Sequence, residues 1–192
     1  MELPRLGIAD DVYDRLAREV DTVYHLAADV SFMPSYEQLK ATNVTGLAHV
    51  LRFACEQRTK SVQYTSTYAV FNSDAYLLAR RVDETRLVGT SEGFGRGYDR
   101  SKWVAEHLVG IAQQRGLPVT TYRVGFVSGD TRTGISNKMD PIAQMLAVAL
   151  CNGYVIRIDA LLHLTPVDWC SRALVKLSLA PGAENAIFHL VQ

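Results

Sequence analysis

The sequence alternates between short runs rich in β-branched and aromatic residues and longer segments with helical spacing, and this alternation is its strongest constraint on the fold. Such runs are typical of strands. They predict strands at residues 21–28, 61–67, 118–124, 154–158 and 186–191. Helices are predicted within the first twenty residues and at residues 35–58, 98–114, 142–150 and 165–179. Strands that alternate with helices form a parallel sheet with helices on both faces, so the predicted fold class is α/β.

Residues 97–106 carry the strongest chemical signal in the chain. Tyr98 and Lys102 are four positions apart in a predicted helix, so their side chains lie on one face. A free tyrosine has a pKa of about 10 and is a weak acid at neutral pH. A lysine ammonium close to it stabilises the phenolate and lowers that pKa. We therefore predict that Tyr98 exchanges a proton with a carbonyl oxygen while a hydride is transferred.

The spacing alone does not single out Tyr98, because Tyr36 and Lys40 are separated in the same way. The predicted strand at residues 61–67 distinguishes the two, since it ends in hydroxyl residues and precedes Tyr98. Open α/β sheets keep their sites at the carboxyl ends of strands, where Thr67 is expected. A hydroxyl there is able to hydrogen-bond the carbonyl oxygen that Tyr98 protonates. Tyr36 follows no such strand and is interpreted as a surface residue near a helix start.

The charge and the cysteine content exclude several classes of function. Twenty basic and twenty acidic residues cancel, so neither a nucleic acid nor a membrane is an expected partner. The three cysteines are scattered and form no CxxC motif, which favours a reducing, cytoplasmic location. No apolar run approaches the ~18 residues of a membrane span. The five histidines show no ligand spacing, so no metal site is expected.

Small residues at two places allow more than one interpretation. Ala27 and Ala28 close the first predicted strand, where they allow a nucleotide to approach closely or a helix to pack tightly on the sheet. Residues 72–97 are polar and irregular and contain a cluster of glycines near their end. No strand leads directly into these glycines, as a phosphate loop would require, so we interpret the segment as a hinge or lid.

These segments together resemble the extended short-chain dehydrogenase/reductases and, within them, the thioester reductase domains. Such domains close some nonribosomal peptide and polyketide assembly lines and form part of carboxylic acid reductases and aminoadipate reductase. The most specific matches are Tyr-x-x-Ser-Lys-Trp-Val-Ala-Glu at residues 98–106 and Thr-Pro-Val-Asp at residues 165–168. Shorter matches to the motifs of these domains span nearly the whole chain and occur in the same order as they do in the family. The resemblance implies a Rossmann-like fold with a small, partial C-terminal substrate lobe.

The resemblance also implies roles for individual residues. Thr67, Tyr98 and Lys102 correspond to the catalytic triad, and Asn43 corresponds to a residue that supports the proton relay. Val124 stands where relatives place a proline. The implied cofactor is NADP(H) rather than NAD(H), and the implied partner is a phosphopantetheinyl carrier protein or domain with a bound acyl thioester. The implied cofactor-binding residues are Ala27, Ala28, Asn43, Lys102, Val124 and Gly125.

The chain departs from this family at its start. Relatives begin with a βαβ portion that carries a Gly-rich turn of the G-x-x-G-x-x-G type, and the sequence opens after the place of that portion. We therefore expect residues 1–134 to form a partial dinucleotide-binding core. Residues 135–192 are expected to add substrate-lobe and closing sheet segments to the same structural unit. Three interpretations stay open: a piece of a longer protein or a misplaced gene start, a redox-inactive relative, and a chain that recruits the missing half from another chain.

Three functions follow from the sequence. The leading hypothesis is NAD(P)H-dependent reduction of a carrier-bound acyl thioester to an aldehyde, with the alcohol as the product of a second round. The second keeps the chemistry but takes a nucleotide sugar or another ketone or alcohol as substrate. The third is a release or interaction module without redox activity. The absent Gly-rich turn favours the third, whereas the intact Thr67, Tyr98 and Lys102 argue against it.

Overall fold

The computed structural model describes residues 2–87, 89–138, 140–154 and 163–191. Four strands in these ranges form a parallel sheet with the order β1-β2-β3-β6, which confirms the predicted α/β class. β1 ends at His25 and is therefore shorter than the predicted strand at residues 21–28. The described strands are β1 (Thr22–His25), β2 (Ser61–Thr67), β3 (Val119–Val124), β4 (Phe126–Ser128), β5 (Leu164–Pro166) and β6 (Ile187–Leu190).

Helices cover both faces of the parallel sheet. The described α-helices are α1 (Asp10–Glu19), α2 (Tyr36–Lys40), α3 (Gly46–Cys55), α4 (Gly97–Gln114), α5 (Pro141–Asn152) and α6 (Val167–Ser178). α3 and α4 pack on one face around Leu47, Val62 and Val109. α6 packs on the other face around Tyr122 and Leu174. None of the helices in the described ranges is long and apolar enough to cross a membrane.

The helix predicted at residues 35–58 consists of three consecutive pieces. α2 begins with a capping box, in which Ser35 and Gln38 each bond the backbone of the other. A π-helical turn, Ala41–Thr45, then leads into α3. Single π-turns inside helices are frequent at functional sites. Here the turn carries the buried side chain of Asn43.

A second, two-stranded sheet joins β4 to β5. The prediction of a helix start at residues 165–168 is wrong in its first part, because Leu164–Pro166 form β5 and α6 begins at Val167. The reason is a tertiary contact. Thr165 is fully buried, and a Cβ on Gly125 would lie 3.0 Å from its Oγ1. A strand of three residues carries too short a pattern to be recognised in sequence.

The division of the chain at residue 134 stays a prediction. β6 and α6 both follow that boundary. β6 belongs to the main sheet because it pairs with β3, and α6 packs against β3 and β6. The strand predicted at residues 154–158 lies almost wholly outside the described residues.

The first turn of α4 packs directly on the start of α2. A Cβ on Gly97 would lie 2.5 Å from the Pro34 carbonyl oxygen, the Ser35 carbonyl carbon and the Tyr36 nitrogen. All three are backbone atoms, which cannot move aside as the end of a flexible side chain can. Because Gly97 precedes Tyr98, the same contact fixes the position of the tyrosine.

We predict that Gly97→Ala lowers the free energy of unfolding by about 1–3 kcal/mol, the usual effect of overpacking. Gly110→Ala is the matched control, because no described atom outside its own helix turn lies within 4 Å of a Cβ there. Alanine at that position should stabilise α4 by up to about 1 kcal/mol. Urea unfolding followed by circular dichroism compares the variants. Equal stability of Gly97→Ala and the wild type would contradict the described packing.

Candidate active site

The structure brings Thr67 and Tyr98 together at the carboxyl end of β2. Thr67 is the last residue of β2, and Tyr98 lies in the first turn of α4. The Thr67 hydroxyl lies close enough to Tyr98 to lower the pKa of the tyrosine. It accepts a hydrogen bond from the Ala69 backbone nitrogen at 3.2 Å, which caps the short helical turn after β2. This cap holds the hydroxyl in place near the tyrosine.

Lys102 lies one helical turn after Tyr98 and is buried. Its ammonium donates a hydrogen bond to the Thr65 carbonyl oxygen at 2.9 Å and lies 4.5 Å from the centre of the Tyr64 ring. Burial disfavours the charged form and lowers the pKa of Lys102 to about 8, although the charge of Glu106 opposes this shift. Lys102 is thus charged at pH 7 and loses its proton not far above it.

The pKa of Tyr98 moves in the direction opposite to the one predicted from sequence. Burial raises the pKa of Tyr98 to about 12, and the nearby Thr67 hydroxyl only partly offsets this effect. The ammonium of Lys102 is directed at the Thr65 carbonyl, and the charges that act on Tyr98 are those of Asp99 and Arg96. Tyr98 is consequently protonated at neutral pH. That state suits a proton donor better than a proton acceptor.

Thr67 and Tyr98 line a cleft of about 970 Å³. This volume is at the upper end of the range of about 300–1,000 Å³ that is usual for small-molecule sites. Val124 and Gly125, two of the predicted cofactor-binding residues, line the same cleft. Tyr36, which shares the spacing to a lysine, is not among the lining residues. The structure therefore separates the two tyrosines as the sequence analysis does.

The other predicted cofactor-binding residues, Ala27, Ala28, Asn43 and Lys102, are not among the residues that line the cleft. Ala27 is exposed and Ala28 half-buried, both in the loop that follows β1. The side-chain amide of Asn43 donates to the Asp29 carbonyl oxygen and to the Ser101 hydroxyl, each at 2.9 Å. Its oxygen accepts from the Asp29 backbone nitrogen at 2.8 Å. Asn43 thus fastens the loop after β1 to α4, and its contact with a cofactor stays a prediction.

Sequence analysis did not identify the buried ion pair beside Lys102. Arg123 Nε donates to Glu106 Oε1 at 2.9 Å, and the Ser66 hydroxyl donates to Glu106 Oε2 at 2.6 Å. The Arg123 side chain is 0% exposed and that of Glu106 5%. Tyr98, Lys102 and Glu106 follow one another at intervals of four and form one stripe on α4. This repeat, with an arginine in a predicted buried strand, is the signal in the sequence that points to the pair.

Arg123 also anchors the long segment between β2 and α4. Its Nη2 donates to the Thr85 carbonyl oxygen at 2.8 Å, and its Nη1 lies 3.1 Å from His189 Nε2. The Glu84 carboxylate accepts from the His189 backbone nitrogen at 2.6 Å. Residues 72–97 are therefore tied near their middle to β3 and β6. The interpretation of the segment as a hinge or lid stays a prediction.

His25 adds no charge to this region at neutral pH. Its ring stacks on Tyr64 with 5.9 Å between the ring centres. Burial, with a further contribution from the charge of Lys102, lowers the pKa of His25 to about 4. Nowhere in the described ranges, the region of His25 included, is a group of three or more His, Cys, Asp or Glu side chains placed to hold a metal ion.

The chain belongs to the NAD_binding_4 family, described as Male sterility protein, which it matches over residues 1–174. It is 37% identical over 188 residues to a linear gramicidin synthase of Brevibacillus parabrevis, an alignment that covers 98% of this chain and 4% of that protein. It is 29% identical over 196 residues to the L-2-aminoadipate reductase large subunit of Candida glabrata, an alignment that covers 96% of this chain and 14% of that protein. These relatives confirm the resemblance to thioester reductase domains.

A solved structure of a reductase domain is also similar to this chain. The terminal R domain of the myxalamid PKS-NRPS biosynthetic pathway is similar with a TM-score of 0.93 and 39% identity. The match covers 100% of this chain and 48% of that domain. The Rossmann-like fold is therefore confirmed. The chain spans about half the length of this solved domain and a small part of the curated relatives.

We predict that Glu106→Gln lowers the free energy of unfolding by about 3–5 kcal/mol, because it leaves the charge of Arg123 buried without its partner. Glu19→Gln is the matched control, since Glu19 pairs with Arg15 at 3.4 Å on the exposed side of α1. Loss of this exposed ion pair should lower the free energy of unfolding by less than about 1 kcal/mol. Urea unfolding measures both effects. If Glu106→Gln were as stable as Glu19→Gln, the ion pair would not hold α4 on the sheet.

Proposed function

We propose that this site reduces an acyl thioester, bound to a phosphopantetheinyl carrier protein or domain, to an aldehyde with a nicotinamide cofactor. The observation that carries the proposal is that Thr67 and Tyr98 line one large cleft together, with Lys102 one helical turn after Tyr98. Hydroxyls in that position are able to protonate and stabilise an oxyanion as it forms. The identities of 37% to the linear gramicidin synthase and 39% to the myxalamid R domain support the same reaction class.

The residues of the cleft fit a nicotinamide cofactor. The cleft lies at the carboxyl ends of parallel strands, where open α/β sheets bind dinucleotides. Val124 and Gly125 give its wall an apolar stretch suited to a nicotinamide ring. Lys102 is buried and not among the lining residues; its ammonium donates one hydrogen bond to Thr65 and keeps two more N–H donors, which we propose for a ribose hydroxyl. The cofactor, when bound, supplies the hydride. We propose NADP(H) in preference to NAD(H), a choice that rests on the resemblance to thioester reductase domains.

The chain's own residues manage the proton. Tyr98 holds its proton at neutral pH and donates it to the thioester carbonyl oxygen as the carbon is reduced. Thr67 donates a hydrogen bond to the same oxygen, and the charge of Arg96, which lowers the pKa of Tyr98, stabilises the phenolate that Tyr98 becomes. The hydroxyl of the hemithioacetal then gives up its proton as the carbon–sulfur bond breaks, the sulfur takes up a proton, and the products are the aldehyde and the carrier thiol. A second round on the aldehyde would use the same residues and give the alcohol.

We also propose a cytoplasmic location. Cys55 and Cys151 are exposed free thiols, and Cys170 is a buried one. Exposed thiols persist in a reducing compartment, where the thiol of a carrier group also stays reduced.

We predict that Tyr98→Phe lowers thioester reduction at least about 100-fold, because phenylalanine keeps the ring but removes the proton donor. The assay mixes acetyl-pantetheine and NADPH or NADH with the complete natural protein that contains this sequence, and it follows cofactor absorbance and aldehyde. NADPH should give the higher kcat/KM. The rate should fall as the pH rises through about 8, where Lys102 loses the charge with which we propose it binds the ribose of the cofactor, while Tyr98 stays protonated up to about 12.

Tyr36→Phe is the matched control, because it makes the same change at a tyrosine outside the cleft lining and should retain activity. A Tyr98→Phe protein with the wild-type rate would contradict the assignment of the proton donor. UDP-glucuronic acid serves as an alternative substrate, since a UDP-glucuronic acid 4-epimerase shares the fold at 17% identity. Turnover of the sugar nucleotide without that of the thioester would favour the second hypothesis. Loss of thioester without oxidation of NADPH or NADH would favour a release module.

A further inference from the structure

Two separate segments of the chain contribute exposed apolar side chains to the lining of the cleft. In the loop after β1, the Met33 side chain is 95% exposed and Val30 53%. On the wall formed by β4 and the segment that follows it, Ile135 is 72% exposed and Val127 38%. All four residues line the cleft in which the proposed reaction takes place. Single exposed apolar residues are common, but a group that faces one cleft marks a binding surface.

The charged groups in the described part of the lining are Arg96 and Asp140, and each is engaged within the protein. Arg96 Nη2 lies 3.0 Å from Asp99 Oδ2, and its guanidinium lies 4.7 Å from the centre of the Phe32 ring. Asp140 keeps its negative charge, caps α5 and accepts from two backbone nitrogens of its first turn at 2.9 and 3.1 Å. A substrate with a carboxylate end would therefore lose water without gaining an unpaired counter-charge from the described wall.

The apolar loop is also held in a fixed relation to the proposed proton donor. Asp29 exchanges two backbone hydrogen bonds with the side chain of Asn43, and its carboxylate accepts from the Ser31 backbone nitrogen at 2.9 Å. The ring centre of Phe32 lies 6.0 Å from that of Tyr98. The apolar surface thus begins at Tyr98 and continues along the lining of the cleft.

We propose that residues 30–33, with Val127 and Ile135, form the subsite for the acyl chain and select apolar chains over chains with a charged end. The inference rests on the proposed thioester reduction, because that reaction places the reacting carbonyl against Tyr98. A volume of about 970 Å³ accommodates an acyl chain beside a nicotinamide ring. Each methylene that the two segments cover leaves water, so a longer apolar chain binds better than a short one.

The test compares three pantetheine thioesters on the complete natural protein that contains this sequence: acetyl, octanoyl and the monothioester of suberic acid, which ends in a carboxylate. The octanoyl ester should have a kcat/KM at least about tenfold above that of the suberyl ester. Met33→Ala should lower the octanoyl-to-acetyl ratio of kcat/KM about fivefold, and Met33→Lys should shift the preference towards the suberyl ester. Leu78→Ala, at a side chain that is 92% exposed and outside the cleft lining, should leave all three ratios unchanged.

The outcomes separate the subsite from the reaction itself. One outcome would overturn the proposed subsite and leave the proposed reaction standing. In that outcome the acetyl ester is reduced in a Tyr98-dependent way, the octanoyl and suberyl esters react equally, and the Met33 variants keep the wild-type ratios. If no thioester is reduced, the proposed function is overturned and the subsite with it. A preference for octanoyl that Met33→Lys reverses supports both.

Discussion

The buried ion pair of Glu106 and Arg123 is the interaction on which the rest of the site depends. It joins α4, which carries Tyr98 and Lys102, to β3 in the middle of the parallel sheet. Ser66 on β2 completes the contacts of Glu106, and Arg123 reaches on to the carbonyl of Thr85. Because both charges are withdrawn from water, each requires the other. One pair therefore sets how the helix lies against the carboxyl ends of the strands.

Burial also determines the protonation states around this pair. It raises the pKa of Tyr98 to about 12 and lowers those of Lys102 and His25 to about 8 and about 4. Each shift favours the neutral form of its group. At pH 7 the tyrosine keeps its proton, the histidine is neutral and Lys102, beside Glu106, stays charged. Such a site is arranged to donate a proton, which is the direction that reduction of a carbonyl requires.

Local spacing was sufficient to predict the main sheet and to place Tyr98 and Lys102 on one helix face, because four positions separate them. β2 and β3 are recognisable because they are rich in β-branched and aromatic residues. Contacts between elements explain what was missed. The partner of Glu106 depends on how α4 lies on β3, and the direction of the Tyr98 pKa shift depends on burial. β5 forms because Thr165 packs at Gly125, which no pattern of three residues encodes.

Isotope transfer tests the central claim most directly, namely that this site delivers a hydride to the carbonyl carbon of a thioester. The complete natural protein that contains this sequence is mixed with acetyl-pantetheine and NADPH deuterated at C4 of the nicotinamide ring, on one face or the other. The aldehyde is then analysed by mass spectrometry. The account predicts one deuterium on the aldehyde carbon with one of the two labelled cofactors and none with the other. Unlabelled aldehyde from both, or free acetate in its place, would contradict it.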